Sequence, residues 1–290
     1  MAGDEMDEER LAAARRDYAR KVLAAHELED PRLEAAFAGI RREDFLGPGP
    51  WQLFTREDGY RPTTDDDPVH LYQDIGVGLI PERGLNNGVP QFLAFLIHLG
   101  KLKEGEHAVH VGAGVGYYTA IMARLVGPQG KITAIEYVPE LATRAIANLA
   151  GCSNVRVMQG DGSAMTFEPA DVVYVNAGAS KPSDNWLDAL KDGGRLILPL
   201  AVTFVSNQGH HMTRGGIFRI VRAGDDYSAR WMSGTAIFPC AGARDAASMT
   251  ALGAAFMKGG ADKVTRLYRT SDIPEDRCWV RGDGWALAYE

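Results

Sequence analysis

Three glycines at alternate positions, Gly112, Gly114 and Gly116, follow the run Val109-His110-Val111 and precede Tyr117. A carboxylate, Glu136, stands twenty residues beyond the last of them, at the end of the apolar run Ile132 to Ile135. Glycines at a strand-to-helix turn permit a tight reversal and let the backbone come close to a ligand. An acidic residue at the end of the next strand is placed to accept hydrogen bonds from ribose hydroxyls. These residues describe a nucleotide-type pocket. One class of nucleotide is disfavoured by the spacing: the dinucleotide fingerprint G-x-G-x-x-G needs glycine at 117, where this chain has tyrosine. Further along, Gly160-Asp161-Gly162 supplies a carboxylate able to bind an adenine amino group, and Asp171 to Ala179 forms a fourth strand whose end begins at Asn176.

The elements that position these residues alternate from Ala108 onward. Strands are expected at Ala108–Val111, Lys131–Glu136, Val155–Gln159, Asp171–Asn176 and Gly194–Leu200, with helices to Leu125, over Pro139–Leu149 and around Trp186–Leu190. Alternation at this spacing argues for a parallel sheet covered by helices. Ile217–Arg222 and Arg230–Phe238, joined through Ala223-Gly224-Asp225-Asp226, read as an antiparallel hairpin. Upstream, residues 7–28, Pro31 to about Ile40 and Val89 to Leu99 read as helices, while the Gly- and Pro-rich stretch Phe45 to Asp67 reads as an irregular loop. Its triple aspartate, Asp65 to Asp67, reads as a solvated acidic turn. Arg244–Lys258 reads as a helix, and Arg281-Gly282-Asp283-Gly284 as a turn between strands Cys278–Val280 and Trp285–Tyr289. The organisation expected is a helical N-terminal segment with substrate-side loops over 1–105, a Rossmann-like domain over 106–242 and a small α+β extension over 243–290.

A chain of 290 residues can bury a full core, and its net charge of -7 argues against a nucleic-acid binder. Three cysteines lie far apart, which reads as free thiols in a reducing compartment rather than a disulfide framework. Met1 to Arg10 is acidic without an apolar core, and the apolar runs are too short to span a bilayer, so a cytoplasmic, non-membrane protein is expected. The sequence says nothing firm about oligomeric state.

The pattern G-x-G-x-G resembles that of class I S-adenosylmethionine (SAM) methyltransferases. Residues from about 8 to 242 are similar to the protein-L-isoaspartate O-methyltransferase family, carried by Arg42-Glu43-Asp44-Phe45, Tyr72-Gln73-Asp74, Val109 to Tyr117, Gly160-Asp161-Gly162 and Leu190-Lys191-Asp192-Gly193-Gly194-Arg195-Leu196-Ile197-Leu198-Pro199. The resemblance implies an α/β fold, a doubly wound, mostly parallel Rossmann-like sheet with an antiparallel C-terminal hairpin. It implies SAM as cofactor, S-adenosylhomocysteine as product and methyl transfer to a carboxylate oxygen. The expected cofactor-binding residues are His110, Gly112, Ala113, Gly114, Gly116, Tyr117, Glu136, Tyr137, Asp161, Gly162 and Asn176.

This chain departs from the family at two places. The family carries a Thr-Ile-Ser-Gln-Pro-like segment that helps seat its substrate. With the prolines aligned, this chain reads Asn86-Asn87-Gly88-Val89-Pro90, so Gly88 stands at the serine position. His110 occupies a position that is acidic in the family, and a charged imidazole there would repel the ammonium and sulfonium of SAM. The acceptor is therefore expected to be a carboxylate other than the family's own, on a peptide, a protein or a small molecule. Asn86, Asn87, Tyr72 and Asp74 are nominated to line its pocket. A carboxylate is already ionised at neutral pH, so it needs orientation rather than a base. A phenol or amine acceptor would need a base, and His98, His210 and His211 are the histidines to consider. The alternatives are a small-molecule N- or O-methyltransferase on the same scaffold and a SAM-binding protein without catalysis. Metal-ligand spacing is absent, and the reaction requires no metal.

Overall fold

Apolar residues recurring every three to four positions give the first helix its buried stripe. In the computed structural model, which describes residues 2–55, 57–205 and 211–290, helix α1 (Ala2–Ala24) buries Leu11, Tyr18, Val22 and Leu23 along that stripe. Helix α2 (Pro31–Gly39) starts where Asp30 caps it, its carboxylate accepting from Leu33 N at 3.1 Å, with Pro31 in the first turn. The short helix α3 (Glu43–Leu46) follows.

The stretch expected to be an irregular loop contains a sheet. Strands β1 (Gln52–Thr55) and β2 (Gly59–Pro62) form an antiparallel hairpin with Thr55 opposite Gly59, and Gly59 takes φ 71° in the turn. Strands β3 (Gly76–Ile80) and β4 (Leu85–Asn86) complete it in the order β2-β1-β3-β4. Four strands of five residues or fewer, broken by Gly and Pro, leave too little alternation to read. The acidic turn caps a 3₁₀ turn through Asp67, and its Asp65 carboxylate lies 2.8 Å from His70 Nε2. Helix α4 (Pro90–Gly100) ends this part of the chain.

From β5 (His107–Val111) the expected alternation follows: α5 (Tyr117–Val126), β6 (Lys131–Glu136), α6 (Pro139–Asn148), β7 (Val155–Gln159), β8 (Ala170–Val175), α7 (Asp184–Ala189) and β9 (Leu190–Val205). Every residue of β5 is buried, as a central parallel strand requires. Then come β10 (His211–Ala223), β11 (Asp226–Thr235), α8 (Ala246–Lys258), β12 (Arg266–Tyr268), β13 (Cys278–Gly282) and β14 (Trp285–Ala288). The β10–β11 strands run further into the turn than the sequence suggested, Ala223 pairing with Asp226 across Gly224-Asp225. The larger sheet has the order β13-β14-β12-β11-β10-β9-β8-β5-β6-β7. Strand β5 pairs in parallel with β8, and β8 with β9, whereas β9 to β14 pair antiparallel. The fold is α/β. Successive strands leave β5 on one side through β6 and β7, and on the other side through β8 and β9. The β5/β8 junction is therefore the topological switch point, where such sheets bind ligands.

The chain forms two compact units: Met1–Gly105, Ala113–Ile132 and Val138–Val157 make the first, and Glu106–Gly112, Thr133–Tyr137 and Met158–Glu290 the second. Among the described residues no helix is long and apolar enough to cross a membrane.

Candidate active site

In the second unit, the ends of four strands carry the residues expected to hold a nucleoside. Gly112 follows β5 with φ 82°, its N–H donating to Ile135 O at 2.8 Å. A Cβ there would sit 3.1 Å from Asn176 O, so the glycine allows β5 and β8 to end side by side. Asn176 N donates to Val111 O at 2.8 Å, and its Nδ2 to Gly112 O at 3.4 Å. Glu136 closes β6 and is buried, while Tyr137 beside it is 54% exposed. Asp161 Oδ1 accepts from both Ser163 N (2.9 Å) and Ser163 Oγ (2.7 Å). Gly162 packs so closely on β5 that a Cβ would stand 2.6 Å from Val111 Cγ1, and Trp186 Nε1 ties its carbonyl at 2.7 Å.

His110 is fully buried, cross-strand from Tyr174, with the two ring centroids 5.0 Å apart. Burial alone pushes its imidazole down to about 3, so it is neutral at physiological pH. The repulsion that a charged His110 would cause does not arise.

In the first unit the glycine turn continues. Gly114 has φ 58° and an open approach: a Cβ would meet only Leu79 Cδ1 of β3, at 3.7 Å. Gly116 caps α5 with φ 93°, against Leu149. Asn148 Nδ2 donates to Val115 O at 2.9 Å and to Phe45 O at 3.1 Å, fixing the turn from α6. Tyr117, expected beside the cofactor, is instead a core residue: its side chain is completely buried against Phe37, Phe45, Tyr118 and the Arg42 guanidinium. Ala113 is buried within the turn.

The residues nominated for the acceptor fall into two groups. Tyr72 and Asp74 are engaged in structure: the Tyr72 hydroxyl donates to Glu43 Oε2, and Asp74 Oδ1 accepts Gln91 N at 2.7 Å in the first turn of α4. Burial, first of all, raises the Tyr72 phenol above its ordinary range. Asn86 is also engaged, its Oδ1 accepting Gly88 N at 2.8 Å and its Nδ2 donating to Tyr60 Oη at 3.2 Å. Asn87 differs. It is 6% exposed, its backbone N–H bonds Val77 O, and its side-chain Nδ2 is buried with no hydrogen-bond partner among the described residues. A buried amide donor left unpaired costs about 1–3 kcal/mol, which an acceptor group would offset.

The family model for protein-L-isoaspartate(D-aspartate) O-methyltransferase matches residues 70–214. The chain belongs to this family. A protein-L-isoaspartate O-methyltransferase from Ignicoccus hospitalis is 31% identical over 191 residues, covering 64% of this chain and 81% of that one. Another from Rhodopseudomonas palustris is 31% identical, covering 71% and 77%. One from Archaeoglobus fulgidus is 39% identical over 122 residues, 40% of this chain and 55% of its own length. Among solved structures, a protein-L-isoaspartate O-methyltransferase superposes with TM-score 0.62 at 24% identity, covering 78% of this chain and 66% of that one. A chain from Plasmodium falciparum assigned to the same family, in complex with S-adenosyl-L-homocysteine, gives 0.58 at 16% identity, with 78% and 97% covered. The fold is that of the class I methyltransferases, and the enzyme is a SAM-dependent methyltransferase.

The structure also explains why two motifs of this methyltransferase occur together. Arg42 is fully buried and donates to Leu71 O (2.8 Å), Gln73 O (3.4 Å), Ile75 O (2.9 Å) and Gly88 O (3.4 Å). One guanidinium thereby holds both the Tyr72-Gln73-Asp74 loop and the turn that carries Asn87 and Gly88. The motif Arg42-Glu43-Asp44-Phe45 does not show this task by itself, because its partners lie 29 or more positions away. Arg195, in the Leu190–Pro199 motif, pairs bidentately with Glu106 at 2.8 and 2.9 Å, a structural role. Of the histidines considered as bases, His98 Nδ1 lies 3.0 Å from Asp30, His210 lies outside the described residues, and His211 begins β10.

Proposed function

We propose that the enzyme transfers a methyl group from SAM to a carboxylate oxygen held by Asn87, on an acceptor other than the family's own, because Gly88, with φ 70° and Leu93 where a Cβ would stand, supplies no hydroxyl at the serine position. The observation that carries the acceptor assignment is the buried Asn87 Nδ2, unpaired among the described residues and one residue from Gly88, whose carbonyl Arg42 holds. A carboxylate is ionised at neutral pH and already nucleophilic, so a neutral amide donor can orient it without removing a proton.

The residues present fit the cofactor. Of the three glycines with positive φ, Gly114 has the open approach that suits its amino-acid part, the buried carboxylate of Glu136 suits the ribose, and Asp161 suits the adenine amino group. Neutral His110 sets no positive charge near the ammonium and sulfonium. When bound, SAM supplies an electrophilic methyl group whose transfer is an in-line displacement, so the protein's work is alignment and exclusion of water.

The test is labelled-methyl transfer to peptides bearing an isoaspartyl residue, an ordinary aspartate or a C-terminal carboxylate. Label lost under mild base is an ester and supports the reading. Base-stable label points to an amine or ether acceptor, and absence of S-adenosylhomocysteine binding by calorimetry would overturn the proposal entirely.

A further inference from the structure

A strap of chain between β11 and α8 lies against the residue assigned to the adenine. Phe238 O accepts Gly178 N at 2.6 Å, Cys240 N donates to Gly178 O at 2.9 Å, and Ala243 O accepts Ser180 N at 2.8 Å. The strap thus runs beside the end of β8. Its far end is pinned as well. Arg244 Nη1 donates to Gly178 O at 2.9 Å, Asp245 N to Ser180 Oγ at 3.1 Å, and the Asp245 carboxylate caps α8 through Ser248 N at 2.7 Å while pairing with Lys181 at 3.1 Å.

At Gly242 the strap meets Asp161. A Cβ on Gly242 would stand 2.0 Å from Asp161 Oδ2 and 2.2 Å from Oδ1. Real Cβ atoms do not approach so closely, and the φ of Gly242 is not in the left-handed region, so contact rather than backbone conformation demands glycine here. Ser163 bonds Oδ1 twice and Gly242 stands against both carboxylate oxygens, so any side chain at 242 would displace the Asp161 carboxylate.

We infer that Gly242 is a positioning residue for the cofactor: the strap, anchored by the cap of α8, sets Asp161 in the orientation that reads the adenine amino group. The C-terminal extension then has a task in cofactor selection, because α8 begins at the strap's anchor. This inference rests on the SAM reading above, with Asp161 as the adenine partner.

Calorimetry with two ligands separates the inference from that reading. S-adenosylhomocysteine carries the amino group, and S-inosylhomocysteine has a carbonyl in its place. The unaltered enzyme binds the adenosyl compound about 10-fold tighter or more, a typical yield for one oriented hydrogen bond to a charged group. Gly242→Ala brings the two affinities to within about 2-fold, chiefly by weakening the adenosyl compound. Asp245→Ala, which loosens the anchor without crowding Asp161, narrows the gap in the same direction. If Gly242→Ala is too unstable to titrate, the double variant Gly242→Ala with Asp161→Gly recovers melting temperature, because the clash has been removed. Full discrimination retained in folded Gly242→Ala, or no recovery in the double variant, overturns the inference. An unaltered enzyme that binds neither compound, or both equally, overturns the adenine reading itself.

Discussion

At the residue scale, Asn87 and His110 carry opposite lessons about burial. Asn87 retains a donor with no partner among the described residues, which costs stability unless a ligand takes it up. Replacing Asn87 by Ala should therefore leave the melting temperature unchanged or higher, while kcat/KM for the acceptor falls about 10- to 100-fold and S-adenosylhomocysteine affinity is unaffected. A purely structural asparagine would lose stability instead. His110 is held neutral with its folded value near 3, against 6.5 for the free side chain. The unfolded chain takes up this proton first, so the contribution is full above about pH 6.5 and is lost as pH falls toward 3. Denaturant melts at pH 7.5 and 5 should differ by about 2 kcal/mol from this group, and His110→Phe should remove that part of the slope. The sequence located His110 within the glycine motif. Its charge state depends on burial beside Tyr174, which a linear pattern cannot display.

At the scale of elements, the parallel strands and their helices were legible because each is long enough to repeat its own period. The small β2-β1-β3-β4 sheet was not, since its strands have two to five residues and are interrupted by Gly and Pro. That sheet presents β3, with Leu79, beside Gly114 and carries the turn of Asn87, the residue proposed to hold the acceptor. Arg42 holds the loops around it through four backbone carbonyls. Arg42→Ala should destabilise the fold by about 3 kcal/mol or more in a thermal or urea melt, because several buried carbonyls lose their donors together. Arg42→Lys should recover little, since an ammonium cannot reproduce the planar fork. Equal stability of Arg42→Ala and the unaltered enzyme would remove this role.

At the scale of the whole molecule, the last strands belong to the larger sheet. Strand β14 lies between β12 and β13, and β12 pairs with β11, so the antiparallel strands continue the sheet that begins with the parallel ones. One apolar cluster includes Val109 of β5, Leu198 of β9, Phe256 of α8 and Leu287 of β14. Leu287→Ala, at a fully buried site, should cost about 2–5 kcal/mol and lower the melting temperature of the unit that contains Glu136 and Asp161. No change on melting would mean that the extension is energetically separate. The sequence by itself determined the strand–helix alternation and the glycine turn, because periodicity and local backbone geometry are properties of neighbours in the chain, and its motifs marked the family by resemblance. Tertiary structure alone decided that Tyr117 is core, that Asn87 keeps a free donor, that Arg42 gathers two distant loops, and that Gly242 meets Asp161. Each depends on residues dozens of positions apart being pressed within a few ångströms, where desolvation and steric exclusion take effect.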